Sequence, residues 1–183
     1  MSRLDKLLRA NEKVLWSGKP VKMPFILPSL MAVPFGLIFL GFSIFWMMAA
    51  SQTPGSFWLF GLIFFFVGFG VVFGAPIRQL VAYKNTEYLI TDQRIITQTG
   101  AIGLDTRYLD LDKIQEVYVQ VGFIDRMFGT GTIFAVTAGH VYVGRSGAFM
   151  RPSLAALKEP YEVQNILQEA IAKARQPKDQ HEI

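Results

Sequence analysis

Charged and apolar residues are segregated along this chain. Between Lys22 and Arg78 no side chain carries a charge, a gap of 55 residues, whereas charges recur every few positions on both sides of it. The gap holds two apolar runs, LPSLMAVPFGLIFLGFSIFWMMAA and FWLFGLIFFFVGFGVVFGAPI, separated by SQTPGS with Pro54 and Gly55. A helix needs about 20 apolar residues to cross the hydrocarbon core, and a Pro-Gly pair among polar residues reads as a turn. The pattern predicts a membrane α-helical hairpin over residues 25–77, with helices at 28–50 and 57–77 and the turn at 51–56. Pro34 is expected to kink or loosen the first helix. Two buried core helices are the soluble alternative, but the rest of the chain is too short to enclose both. A cleaved leader would have a shorter polar start and a shorter apolar run.

After the gap the period changes. EYLITDQRIITQTGAI reads as two strands split at Asp92 and Gln93, and GAIGL as the next turn. TRYLDLDKIQEVYVQVGF supplies two more around Asp112 and Lys113. Within it Val117, Val119 and Val121 alternate with Tyr118 and Gln120, as on a half-buried strand. TIFAVTA, HVYVG and residues 148–151 extend the count to about seven antiparallel strands. From Pro160 onward Val163, Ile166, Leu167, Ala170, Ile171 and Ala174 recur at helical spacing. Residues 78–176 are therefore expected to form a sandwich or partly open β-barrel capped by one C-terminal α-helix, with 177–183 a flexible tail.

Charge sets the orientation. Residues 1–22 carry six Lys or Arg against Asp5 and Glu12, Arg78 and Lys84 follow the second run, and the short turn carries none. By the positive-inside rule both termini are expected in the cytoplasm. In the cytoplasmic segment 1–24, Leu4, Leu7 and Leu8 suggest a short helix lying on the membrane surface. The whole chain has a formal net charge of +4, but residues 78–183 are balanced, so the basic excess belongs to topology and nucleic-acid binding is not expected.

The chain has no cysteine and two histidines, His140 and His181. A metal site or thiol chemistry is not expected, nor is any cofactor. FGTGTIFAVTAG has two glycines one residue apart, but Phe134 stands where a dinucleotide fingerprint needs its third glycine, and a strand rather than a helix follows. GHVYVGRS has phosphate-loop spacing with Arg145 in place of lysine. Nucleotide binding is not expected, and Gly129 and Gly131 read as a tight bend before a strand. Asp105, Asp110, Asp112, Glu116 and Asp125 lie in or beside turns near basic residues, as solvated charges do, and His140 with Ser146 lacks a nucleophile elbow. The chain is read as non-enzymatic.

YLITDQRIITQTG, LDLDKIQEVYVQ and DRMFGTGTIFAVTAG, in that order and preceded by NEKVLWSGKP, resemble bacterial pleckstrin-homology (PH) domains of the YdbS-like, membrane-flanked type. The resemblance implies a PH-like barrel of two near-orthogonal sheets capped by the C-terminal helix, in a bacterial or archaeal cell membrane. It implies little about activity. In eukaryotic PH domains a basic cluster across the first two strands often holds a phosphoinositide headgroup, whereas TDQR offers Arg94 alone. The expected role is an assembly or protein-binding scaffold at the cytoplasmic face. Anionic lipid headgroup binding is one alternative, and an accessory subunit of a membrane enzyme or transporter another. Expected partners are the bilayer and either a second copy or another membrane protein. Lys84, Arg94, Arg107, Arg126, Met127, Phe128, Arg145 and Arg151 are candidate lipid or partner contacts. Gly70 and Gly74, spaced small-xxx-small in GVVFG, are candidate helix-packing residues, against the first helix or in a dimer.

Overall fold

A computed structural model describes Leu4 and residues 7–52, 54–137, 142–143, 149–150 and 152–176. Strand β1 (Val14–Gly18) precedes the apolar region. Helices α1 (Lys22–Met31) and α2 (Val33–Ala50) form its first arm, and α3 (Leu59–Phe69), a π-helical turn (Gly70–Gly74) and α4 (Ala75–Asn85) its second. Strands β2 (Glu87–Thr91), β3 (Arg94–Thr99) and β4 (Asp105–Asp110) follow, then a 3-10 turn (Leu111–Lys113) and β5 (Ile114–Gln120). Helix α5 (Phe123–Phe128), β6 (Thr130–Thr137), β7 (Tyr142–Val143), β8 (Phe149–Met150), β9 (Ser153–Lys158) and α6 (Pro160–Arg175) complete the chain.

The two arms are long and apolar enough to cross a membrane, and only 11% and 17% of their apolar windows is buried inside the protein. They are therefore not the core around which the strands fold. The first arm breaks at Ala32, just ahead of Pro34, whose ring cannot supply the amide a continuous helix needs. The second runs on to Asn85, past the predicted end at residue 77, and carries Arg78 and Lys84 on its polar extension. Contact between the arms rests on small residues. A Cβ on Gly68 would lie 2.9 Å from Leu40 Cγ and 3.0 Å from the Gly36 carbonyl oxygen, and one on Gly36 2.8 Å from Val72.

Seven antiparallel strands form two sheets, ordered β1-β2-β3-β4 and β5-β6-β9, while β7 and β8 pair separately. The core between the sheets holds Tyr88, Ile90, Ile95, Ile133 and Leu154, and α6 covers it with Val163, Leu167, Ala170 and Ile171. Burial raises the Tyr88 phenol to about 12, although its oxygen accepts a 3.1 Å hydrogen bond from the Ala155 amide.

The seven strands are not the seven expected. β1 pairs with β2 in the register Trp16↔Ile90 and Gly18↔Tyr88, so the sheet begins before the hairpin and not at residue 78. The hairpin is thus inserted between two adjacent strands. Two of the three leucines expected to face a membrane surface face the sheet instead: Leu4 is fully buried with Leu89 and Ile96 and Leu8 packs on that cluster, on the outer face of the first sheet, while Leu7 is exposed.

Candidate functional site

Arg94, the candidate at the β2–β3 turn, is 6% exposed. Its Nε lies 2.9 Å from Glu12 Oε1, and its Nη2 lies 3.0 Å from Glu12 Oε2 and 3.0 Å from the Leu7 carbonyl oxygen. The guanidinium also stacks 4.6 Å from the centre of the Tyr108 ring. Glu12 accepts two further bonds, from the Arg9 amide at 2.7 Å and the Thr91 hydroxyl at 2.8 Å. Burial works to raise the Glu12 carboxyl, but the Arg94, Arg9 and Thr91 hydrogen bonds and the Arg94 charge outweigh it and hold the group below its ordinary 4.5. Arg94 is therefore committed to locking the N-terminal segment onto the sheet, which corrects its reading as a lipid or partner contact. Sequence could not reveal this, because the partner lies 82 residues away across the hairpin.

The remaining candidates are dispersed. Lys84 is exposed in the last turn of α4. Arg107 is half-buried on β4 at the rim of a cleft of about 400 Å³, floored by Ile95, Leu109, Ile133 and Leu154. This cleft opens along the seam between the sheets, and Thr97 and Ser153 also line it. Arg126, Met127 and Phe128 are exposed on α5, a short helix where a plain turn was expected. Arg145 and Arg151, like His140 and Ser146, lie outside the described residues.

The glycines divide by role. Gly129 ends α5 in the left-handed region at φ 63°, and a Cβ on Gly131 would meet the Pro160 ring at 2.8 Å. Gly131 is paired with Leu157 inside the sheet, so the stretch is a helix cap followed by a close packing point. Gly70 and Gly74 lie in the π-helical turn, and a Cβ on either would meet nothing within 4 Å. The second arm approaches the first at that level through Val71 and Val72, which lie against Gly36, so packing of these two glycines on the first helix is corrected.

Several exposed apolar residues gather at the end of the barrel nearest the hairpin. Phe123 is 81% exposed, Met127 67% and Ile102 88%. Helix α5 packs against α1, and Phe123 and Ile124 share a hollow of about 460 Å³ with Phe25, Pro28 and Met31. Ile102 and Leu104 stand in the β3–β4 turn, whose Gly100 carbonyl accepts a 3.0 Å bond from the Asn85 side chain at the end of α4. Ile102 and Leu104 escaped the list of expected contacts, yet apolar side chains in a glycine-flanked turn are the signal that marks them.

A family profile described as Bacterial PH domain matches residues 25–171. The chain belongs to this family. The two sheets, the capping α6 and the open seam are thus those of a bacterial PH domain that carries an apolar helical hairpin within it. A crystal structure of a DUF1696 family protein with a pleckstrin-homology domain from Shewanella loihica PV-4 is similar at 15% identity, over 48% of this chain and 68% of that one, with a TM-score of 0.32. No curated protein matches the chain in sequence. PH domains are generally non-enzymatic binding or scaffolding modules, and among the described residues no group of three or more His, Asp or Glu could hold a metal ion.

Proposed function

We propose that the chain is an integral membrane protein whose two-arm hairpin holds a bacterial PH domain at the cytoplasmic face, where the domain is a non-enzymatic scaffold binding a protein partner. The observation that carries this reading is the hairpin inserted between β1 and β2: anchor and domain are one folded unit. Large side chains such as Phe35, Ile38, Phe45 and Phe66 are 61–68% exposed along its arms, a surface that suits lipid and not water. Basic residues at the β1 and β2 ends and none in the turn support cytoplasmic termini.

The protein-binding reading is favoured over headgroup binding because the one basic residue at the β2–β3 turn is consumed by Glu12. The seam cleft, apolar in its floor with Thr97, Ser153 and Arg107 at its rim, suits a peptide or side-chain anchor better than a phosphate. A photo-crosslinking residue at Thr97, in native membranes, is expected to yield a protein adduct that is absent when the same residue replaces exposed Glu116. Adducts with lipid alone would favour headgroup or acyl binding instead. Light scattering on the detergent-purified protein then separates self-association from a different partner, a clean monomer excluding the former.

A further inference from the structure

We propose that the hairpin end of the PH domain is itself seated in the cytoplasmic leaflet, with α5 as a foothold beside α1 and the β3–β4 turn as a second beside α4. This inference rests on the hairpin spanning the membrane. Lys22 opens α1 and Arg78 lies near the start of α4, so these charges mark where the apolar arms meet water. A hydrogen bond of 3.0 Å from the Gln79 side chain to the Phe25 carbonyl holds the two arms level there. Helix α5 does not sit below that level. Its neighbours in the shared hollow include Pro28 and Met31, and Met31, nine residues on from Lys22, is about 13 Å further along the helix axis. A side chain packed beside these residues shares their depth, at the boundary of headgroups and acyl chains.

The exposed face of α5 has the chemistry of that boundary. At 100° per residue Phe123, Arg126 and Met127 share one side, and all three are exposed. The acidic residue of the helix is turned to other work. Asp125 accepts from the Gly122 amide at 3.2 Å and from the Thr130 hydroxyl at 2.8 Å, which ties its carboxylate to the barrel. The outward face is therefore two large apolar groups with one cation, as interfacial helices present to anionic lipid. On the opposite side β2 leaves α4 away from the hairpin and β3 returns, so the turn after Thr99 points back toward the bilayer and carries Ile102 and Leu104 exposed. In water this rim would be a hydrophobic liability; against the leaflet it is covered.

Because the chain has no cysteine, single-cysteine variants report position directly. Met127→Cys, Ile102→Cys, Phe66→Cys and Asp112→Cys are labelled with an environment-sensitive fluorophore in full-length protein. Each is reconstituted in nanodiscs of zwitterionic and anionic phospholipid with nitroxides at the headgroup or deep in the chain. The expected result is blue-shifted emission at positions 127 and 102 quenched best by the headgroup nitroxide, deep quenching at 66, and no quenching at 112. Positions 127 and 102 behaving like 112 while 66 is quenched would overturn the foothold and leave the spanning hairpin intact. Blue-shifted but unquenched emission there means contact between copies of the protein and also overturns it. If 66 is unquenched too, the spanning reading falls and the foothold with it.

Discussion

Replacing Arg94 with Ala removes the cation from a carboxylate that is itself fully shielded, since the Glu12 side chain is 0% and the Arg94 side chain 7% exposed. Breaking a buried pair by deleting one partner costs about 3–5 kcal/mol, because the survivor keeps its desolvation cost without its counter-charge. The Tyr108 stacking is lost as well, worth about 0.5–2 kcal/mol. The chain has a cheaper escape than global unfolding: residues 4–13 can detach and hydrate Glu12. Detachment gives up the burial of Leu4 against Leu89 and Ile96, about 1.5–3 kcal/mol, and two 3.0 Å hydrogen bonds, from the Lys13 amide to Asp92 Oδ1 and from the Asp92 amide to the Lys13 carbonyl. The expected outcome for Arg94→Ala is thus local. By hydrogen exchange of detergent-solubilised protein, the Arg9, Glu12 and Lys13 amides should lose protection by roughly a hundredfold, the equivalent of about 3 kcal/mol, while the Ile95 and Leu109 amides change less. A double variant, Arg94→Met with Glu12→Leu, should recover most of the protection at the Glu12 and Lys13 amides, because no charge is left buried, but not at the Arg9 amide, whose acceptor is the Glu12 carboxylate. Unchanged exchange in Arg94→Ala together with lost binding to anionic vesicles would refute the lock and restore Arg94 as a ligand.

The same pair makes a pH prediction. The Glu12 carboxyl is held below its ordinary 4.5 in the folded protein, so its contribution is present above about pH 4.5 and is lost as pH falls through the lowered value, and N-terminal amide protection should fall there in the wild type but not in the double variant. In the hairpin, Gly68→Leu should lower the melting temperature in detergent, because Leu40 and the Gly36 carbonyl already fill that space, whereas Gly70→Ala and Gly74→Ala should leave it unchanged; an equal loss for all three would refute the assigned packing. Tyr88→Phe should cost about 1–3 kcal/mol by leaving the Ala155 amide unpaired, and the wild type should lose stability as pH rises from 10 toward 12, where only unfolded chains ionise this phenol. Residues 86–176 expressed alone should not melt cooperatively, while residues 7–18 joined to them through an Asn-Gly hairpin should, since Gly18 and Tyr88 are already adjacent strand partners; cooperative melting of 86–176 alone would refute the need for β1.

What sequence could reveal followed the strength of its periodic signals. The uncharged gap, the strands from Glu87 to Gln120 and the amphipathic α6 were legible because each repeats one pattern over many residues. β9 was not, because SLAALK has the composition of a helix and is a strand only through its pairing with β6 and the left-handed Ala156 at φ 51°. α5 is six residues long, too short to show a helical period. β1 was masked by distance: VLWSG has the look of a strand, but its partner Glu87–Thr91 lies beyond the whole hairpin. Of the candidate contacts, the cluster on α5 was visible as apolar residues in an expected turn. The fate of Arg94 was not, since a lone basic residue reads the same whether it faces solvent or a buried carboxylate.

The inserted hairpin gives the buried Glu12–Arg94 pair a role in the domain's own assembly. In a continuous domain β1 would join β2 by a short turn and their pairing would follow at small entropic cost. Here the pairing must close over the intervening arms, and nothing local guides it. The segment before β1 supplies the missing guidance: Leu4 enters an apolar site formed by Leu89 and Ile96, and Glu12 meets both Nε and Nη2 of Arg94 while accepting two further bonds from the Arg9 amide and the Thr91 hydroxyl. A buried pair with this many satisfied lone pairs adds little net stability over an apolar substitute, but it admits one register, because a slip of β1 by one residue would strand both charges. With β1 in register Gly18 and Tyr88 are opposed, so the hairpin's two ends are brought together at adjacent strands and its arms leave the sheet side by side. The lock thus acts on geometry: it sets the spacing at which the arms leave the domain, and with it how closely α5 and the β3–β4 turn are held beside them.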